Sequence, residues 1–153
     1  MKEDFYNYLK DVNASDTVKT KVKQIYDEVL SLYNNINIED ILITNVINNG
    51  SVEWQSLWFF NESFAIECKN FLSLQEDYDI APLNNRVIYY NMKKSNYSLS
   101  KKPEANSIVF FTILINNGKT SCNFTATGIN CLYAMQVSQK YFLKKMDVSL
   151  YSE

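Results

Sequence analysis

A chain of 153 residues with 46% apolar and 14% aromatic side chains can bury a core, which excludes an intrinsically disordered segment. It carries 15 basic and 17 acidic groups, a net charge of −2, and no histidine. The missing imidazole excludes a Ser-His-Asp triad, a Cys-His pair and any zinc site with a histidine ligand, so catalysis would rest on carboxylates, lysine, tyrosine or cysteine.

Residues 4–11 fit a short helix of modest amphipathicity. Asn13-Ala14-Ser15-Asp16 reads as a break followed by an N-cap. Val18, Val22, Ile25, Val29, Leu32 and Ile36 then recur at steps of four and three, with Lys19, Lys21, Lys23, Asp27 and Glu28 largely off that stripe. The spacing predicts an amphipathic helix over about residues 16–34 that packs on a sheet. A coiled-coil or dimer seam is the alternative, but the stripe lasts under three heptads, and packing on the sheet is the preferred reading.

Ile41 to Ile47 is apolar and β-branched and ends at Asn48-Asn49-Gly50. Asn-Gly accepts positive φ at both central positions, so it favours the type I′ turn between antiparallel strands. Val52 to Phe60 follows, with Val52, Trp54, Trp58 and Phe60 on one face; Leu57 and Phe59 make its far end apolar on both. Asn61-Glu62-Ser63 reads as a turn. Phe64, Ile66 and Cys68 alternate with Ala65, Glu67 and Lys69, the pattern of a half-buried strand. Residues 72–85, with Asp79, Pro82, Asn84 and Asn85, read as a loop. Arg86 to Met92 is the next expected strand, and 93–106 is polar. Ser107 to Ile115 is strongly β and turns at Asn116-Asn117-Gly118 into Thr120 to Thr127. Thr127-Gly128-Ile129-Asn130 ends that strand and caps a helix over 130–146, where Leu132, Met135, Gln139, Phe142 and Met146 recur. Lys140, Lys144 and Lys145 suit the negative pole of its dipole.

The expected fold is therefore α+β, a single domain over 1–153. It has a helical segment 1–36, a curled antiparallel meander of about six strands over 40–128 with two Asn-Gly hairpins, and a C-terminal helix. This element order is similar in outline to pleckstrin-homology-like barrels, a likeness that implies no function. A cone-shaped sheet wrapped around the N-terminal helix is the other expected arrangement.

Cys68, Cys122 and Cys131, an odd number at wide spacing, make neither a disulfide framework nor a zinc knuckle, and Cys68 and Cys122, in apolar strand runs, read as small hydrophobes. Met1-Lys2-Glu3-Asp4 has no apolar h-region, and no apolar run approaches the ~20 residues that span a bilayer. A cytoplasmic protein without a membrane partner is expected. Frequent Asn, Ile, Lys and Tyr suit an AT-rich gene of the mobile or accessory bacterial kind.

Glu67-Cys68-Lys69 places Glu67 and Lys69 on one face of a strand. The pair resembles the Glu-x-Lys core of metal-dependent nucleases of the restriction-endonuclease type. That resemblance implies a glutamate that helps bind a divalent ion and a lysine that helps activate water. It also implies a second carboxylate on a neighbouring strand, for which Glu53 and Glu62 are on hand. The competing reading is a solvated face or a cross-strand ion pair. Glu76-Asp77-Tyr78-Asp79 resembles half of a calcium loop but lacks the turn glycine and the bidentate glutamate, so no metal or other cofactor is expected. Lys93, Lys94, Lys101 and Lys102 with Tyr89, Tyr90 and Tyr97 could stack bases and meet phosphates; a lysine-protected strand edge is the preferred reading. No glycine-rich phosphate loop is present.

Charge is distributed unevenly. Residues 35–83 carry one base against eight acids, net −7, and residues 84–153 carry nine bases against three acids, net +6. Either the halves cancel across the fold, or Glu62, Glu67, Glu76, Asp77 and Asp79 form an acidic surface for a basic partner with Tyr78 as its aromatic anchor. The expected function is non-enzymatic protein binding. The profile suits an inhibitor or immunity-type protein that occludes a basic partner such as a bacterial toxin nuclease, or a phage-encoded inhibitor of host defence. Nucleic acid is not the expected partner. The alternatives are the Glu67/Lys69 nuclease and a small-ligand or peptide module reported by Trp54 and Trp58.

Overall fold

The computed structural model describes residues 1–83 and 86–146. Two helices open the chain, α1 over Glu3–Asp11 and α2 over Asp16–Leu32. Ser15 caps α2 by accepting the Val18 N–H at 3.3 Å, which satisfies one of the donors a helix N-terminus leaves unpaired. Both helices end on an asparagine in the left-handed region. After α1, Asn13 N–H reaches Lys10 O and Ala14 N–H reaches Leu9 O; after α2, Asn35 N–H reaches Leu30 O. These are Schellman-type closures built on asparagine rather than glycine.

The same substitution recurs along the chain. Every non-glycine residue with positive φ among the described residues is an asparagine (Asn13, Asn34, Asn35, Asn49, Asn70, Asn96 and Asn116), with φ between 52° and 57°. With only three glycines available, asparagine makes the turns, because its short side chain tolerates a conformation that costs other L-residues about 1–2 kcal/mol. Asn49→Ala is therefore expected to lower stability by about 1 kcal/mol, and Asn49→Gly to leave it near wild type, in urea unfolding.

Seven strands follow among the described residues: β1 Asp40–Asn48, β2 Ser51–Phe60, β3 Phe64–Lys69, β4 Asp77–Pro82, β5 Tyr89–Ser95, β6 Ile108–Ile115 and β7 Thr120–Thr127. They form two antiparallel sheets, β1-β2-β3-β4 and β5-β6-β7, rather than one curled sheet of about six. The additional strand, β4, lies within the stretch expected to be a loop; the Asn84-Asn85 part of that expectation falls outside the described residues. At the first hairpin Asn48 pairs with Ser51 across Asn49 (φ 52°) and Gly50 (φ 79°). At the second, Ile115 pairs with Thr120 across a longer connection that holds a 3-10 turn over Asn116–Gly118. Strand β5 starts three residues later than expected and runs on to Ser95, because its ladder with β6 extends from Tyr89–Leu114 to Ser95–Ile108.

The last helix, α3, covers Asn130–Tyr141 and does not continue to residue 146. Phe142 leaves helical space (φ −123°, ψ −58°), and its buried ring packs on Phe60 and Phe124 at 6.2 and 5.4 Å between centroids. A 3-10 turn over Leu143–Lys145 follows, so of the three expected lysines only Lys140 stands in the last turn of α3.

Alternation along β2 builds the layers. Leu57 and Phe59 face α2, where Phe59 meets Tyr26 at 6.3 Å. Trp58 and Phe60 face the other way, onto Phe124 of β7 at 4.6 and 5.9 Å. Helix α3 packs against β6, β7 and β1, and Tyr141 stacks on Phe60 at 5.2 Å. Trp58 and Phe60 are thus core residues, each 3% exposed or less.

The two sheets meet along β1 and β7 without a continuous ladder. The β1–β2 register shifts between Ile43 and Asn45, and Thr44 Oγ1 accepts the Ser56 N–H at 3.0 Å in place of a backbone partner. Side chains then satisfy the bulged edge. Ile43 N–H donates to Tyr8 Oη at 2.9 Å, and Asn130 Nδ2 donates to Ile43 O at 2.7 Å and to Asn45 Oδ1 at 2.9 Å. Tyr8 Oη donates to Asn130 Oδ1 at 2.8 Å, and Thr127 N–H reaches Asn45 Oδ1 at 3.0 Å. Asn130 therefore does not cap α3 with its side chain, as expected from sequence; it ties α1, β1 and β7 together.

Candidate functional site

Asp77–Pro82 forms a strand because Tyr78 and Ile80 alternate with Asp77, Asp79 and Ala81, and because β3 offers a matching alternation. The connection between them is short and self-bonded. Asn70 takes φ 56°, and Ser73 N–H and Oγ both donate to Asn70 O at 2.9 Å. Phe71 is buried and pins the loop.

The register sets Glu67 opposite Asp79 and Lys69 opposite Asp77. All four side chains fall on the sheet face turned away from α2. Lys69 Nζ bridges diagonally to Asp79 Oδ2 at 2.7 Å. Asp77 and Asp79 are exposed and Glu67 is half-buried. Burial raises the Glu67 carboxyl above the ordinary glutamate range; the Ser56 hydroxyl and Lys69 pull it back, and Asp79 and Asp77 push it further up. Lys69 is raised by its bond to Asp79. An acid raised in the folded state stabilises the fold below its unfolded pKa and loses that contribution as pH rises through the folded value. Glu67→Gln should accordingly stabilise the protein relative to wild type at pH 7 and bring no gain at pH 4, read as the difference between the two melting temperatures.

The other expected site residues lie elsewhere. Glu76 is turned toward α2, where Lys21 Nζ meets its Oε1 at 2.7 Å in a partly buried pair. Tyr78 also faces α2; its hydroxyl donates to Glu28 Oε2 at 3.1 Å, and burial together with Cys68 and Glu28 pushes the phenol upward. Tyr78 is thus a strut between β4 and α2 rather than an exposed anchor. Glu62 sits exposed in the β2–β3 turn, with its carbonyl accepting from Lys145 Nζ at 2.6 Å. Of the six residues singled out from sequence, Glu67, Asp77 and Asp79 come together, and Glu62, Glu76 and Tyr78 do not join them.

Asp79 supplies the carboxylate opposite Glu67 that the Glu-x-Lys resemblance requires. Neither Glu53, paired with Val46 at the far end of β2, nor Glu62 does so. No group of three or more cysteine, aspartate or glutamate side chains among the described residues is placed to hold a metal ion. The three cysteines are buried, and burial pushes their thiols up to about 11 for Cys68 and Cys131 and about 12 for Cys122. None is an activated nucleophile. In the basic, aromatic stretch, Tyr97 is buried and Tyr90 is held by Ser138 at 2.9 Å, while the exposed Tyr89 lies toward the opposite end of β5 from Lys93 and Lys94. Three tyrosines ready to stack bases are therefore not on the surface there. No helix among the described residues is long and apolar enough to cross a membrane.

Two further concavities escape any reading of the sequence, because each is assembled from distant segments. One, of about 280 Å³, lies between α1, β1 and α3 and is lined by Asp4, Phe5, Tyr8, Asp40, Tyr133 and Lys140 among others. Lys140 Nζ bridges Asp40 at 2.9 Å within it, so the cavity holds its own counter-charge. The other, of about 260 Å³, is an apolar groove between the end of α2 and the outer part of the first sheet, lined by Leu32, Tyr33, Ile36, Phe64, Ile66 and Ile80. Leu32 belongs to the apolar stripe of α2, yet it is 61% exposed where it lines this groove. Trp54, expected to report a ligand pocket, lines an open depression with Ser56, Glu67 and Lys69. Set against known proteins, the chain matches no family model, no curated protein and no solved structure.

Proposed function

We propose that this chain is a non-enzymatic protein-binding domain of the inhibitor or immunity type, which occludes a basic partner such as a toxin nuclease. The observation that carries this reading is the grouping of Glu67, Asp77 and Asp79 on one face at the open end of a sheet, with Lys69 already bound to Asp79. Two exposed carboxylates and a half-buried one make a local negative field that speeds the approach of a basic surface and rejects an acidic one. Capture of partners from the native host at low and at moderate salt, followed by reconstitution with the purified candidate, tests the reading. One stoichiometric basic protein whose binding weakens with salt supports it; a partner that binds equally at both salt concentrations removes the electrostatic mechanism.

A second reading keeps an observation of its own. Asp79 stands opposite Glu67 beside Lys69, the set a Glu-x-Lys nuclease would use with Mg²⁺ or Mn²⁺. Incubation with DNA and RNA in either metal, for wild type and Glu67→Ala, decides it. Cleavage that survives Glu67→Ala excludes this site.

A further inference from the structure

We propose that the outer edge of β4 takes up an extended segment of the partner by strand addition, and that the segment recognised alternates lysine or arginine with aliphatic residues. This rests on the protein-binding reading and specifies the form in which the partner is held.

The backbone supplies the first argument. Strand β4 ends its sheet. Leu83 N–H donates to Ser63 O at 2.7 Å, which marks Ser63 and Leu83 as a hydrogen-bonded pair. Bonded and non-bonded pairs alternate in an antiparallel ladder, so Ala65–Ala81, Glu67–Asp79 and Lys69–Asp77 bond inward. The N–H and C=O groups of Tyr78 and Ile80 consequently point away from β3. Pro82, without an N–H, closes one end of that edge.

The two flanks of the edge supply the second argument. On the α2 side, Ile80 is 42% exposed and opens into the apolar groove with Leu32 and Phe64. On the other side stand Asp77 and Asp79. A strand laid against β4 sends alternate side chains to alternate flanks, so one set meets the groove and the other meets the carboxylates. An aliphatic residue fits the first and a cation the second. The aspartates also select against the commonest competitor for a bare edge. A second copy pairing β4 against β4 would set aspartate near aspartate, which is unfavourable, whereas a basic segment meets no such repulsion.

The test uses the full chain, ¹⁵N-labelled, titrated with a hexapeptide alternating lysine and valine. The controls are its block isomer (lysines together, then valines) and two versions carrying backbone N-methyl groups on the valines or on the lysines. In an antiparallel addition, residues opposite Tyr78 and Ile80 share their face, so the valine N–H groups are the ones that bond to β4. The alternating peptide should bind at least tenfold more tightly than the block isomer and should slow exchange of the Tyr78 and Ile80 amides. Methylation of the valines should weaken binding at least tenfold, and methylation of the lysines less than threefold. Ile80→Pro removes an outward N–H while leaving the inward-bonded pairs intact, and should weaken the alternating peptide alone; if that variant does not fold, the methylated peptides carry the test. Equal binding of all four peptides overturns strand addition while leaving an acidic contact surface. A dimer of the chain that Ile80→Pro dissociates overturns it as well, by naming a second copy as the occupant. Retention of a captured basic partner by a charge-reversed Asp77/Asp79 variant overturns the parent reading instead.

Discussion

Asn130→Ala is expected to lower stability by about 3–4 kcal/mol, a fall of about 10 °C in melting temperature. The side chain is 1% exposed and makes three hydrogen bonds, to Ile43 O, Asn45 Oδ1 and Tyr8 Oη. Alanine leaves the Ile43 carbonyl and the Tyr8 hydroxyl proton buried without partners, and each orphaned group costs about 1–3 kcal/mol. Leaving a partner unsatisfied costs more than the bond itself was worth, because the remaining group stays desolvated. Tyr8→Phe should cost a similar amount, because it too orphans two buried groups, the Ile43 N–H and Asn130 Oδ1, although Asn130 keeps its two bonds to β1. The double variant should cost less than the sum of the singles, as expected within one network. Thermal unfolding of the four proteins checks both statements; strict additivity would show that Tyr8 and Asn130 act independently.

Asp77→Lys combined with Asp79→Lys is expected to slow association with the proposed basic partner by about 100-fold at low ionic strength and to abolish most of its salt dependence. Both residues are exposed and bond inward through their backbones, so the change reverses surface charge with little effect on the ladder. Reversal also removes the Lys69–Asp79 bridge, which is exposed and contributes little to stability. Glu76→Lys serves as the contrast. It breaks the partly buried pair with Lys21 on the opposite side of β4, and should reduce stability more than it slows association. Stopped-flow mixing across a salt series, paired with a melting curve for each variant, separates the two effects. Equal slowing by both changes would mean that the partner reads net charge rather than the Glu67–Asp79 face.

Element type was legible wherever a periodic pattern ran long enough. The stripe from Val18 to Val29 is helix α2, and the β-branched runs at Ile41, Ser107 and Thr120 are strands. Strand β4 was not legible, although its alternation is visible afterwards. Tyr78 and Ile80 are flanked by Asp77, Asp79 and Pro82, residue types that ordinarily mark turns; pairing with β3 outweighs that preference. Read as a loop, the acidic stretch has no faces, and nothing local separates Glu76 and Tyr78 from Asp77 and Asp79. Alternation in a strand separates them: odd positions from Asp77 turn one way, and Glu76 and Tyr78 turn to α2.

What the sequence determined by itself is what local spacing and backbone chemistry control. It set the α+β class, the helix start at Ser15, the strand runs that alternate over several residues, and the absence of histidine chemistry. Only the tertiary structure decided that the seven strands among the described residues divide into two sheets, and that side chains of Tyr8, Asn45 and Asn130, far apart in the chain, satisfy the backbone where β1 and β7 meet. Only the tertiary structure placed Glu67 against Asp79 and opened the groove at Ile80 on the opposite face of the sheet. Periodicity tells which side of its own element a residue occupies. What stands across from it depends on long-range pairing, and that is settled by packing and by the satisfaction of buried polar groups.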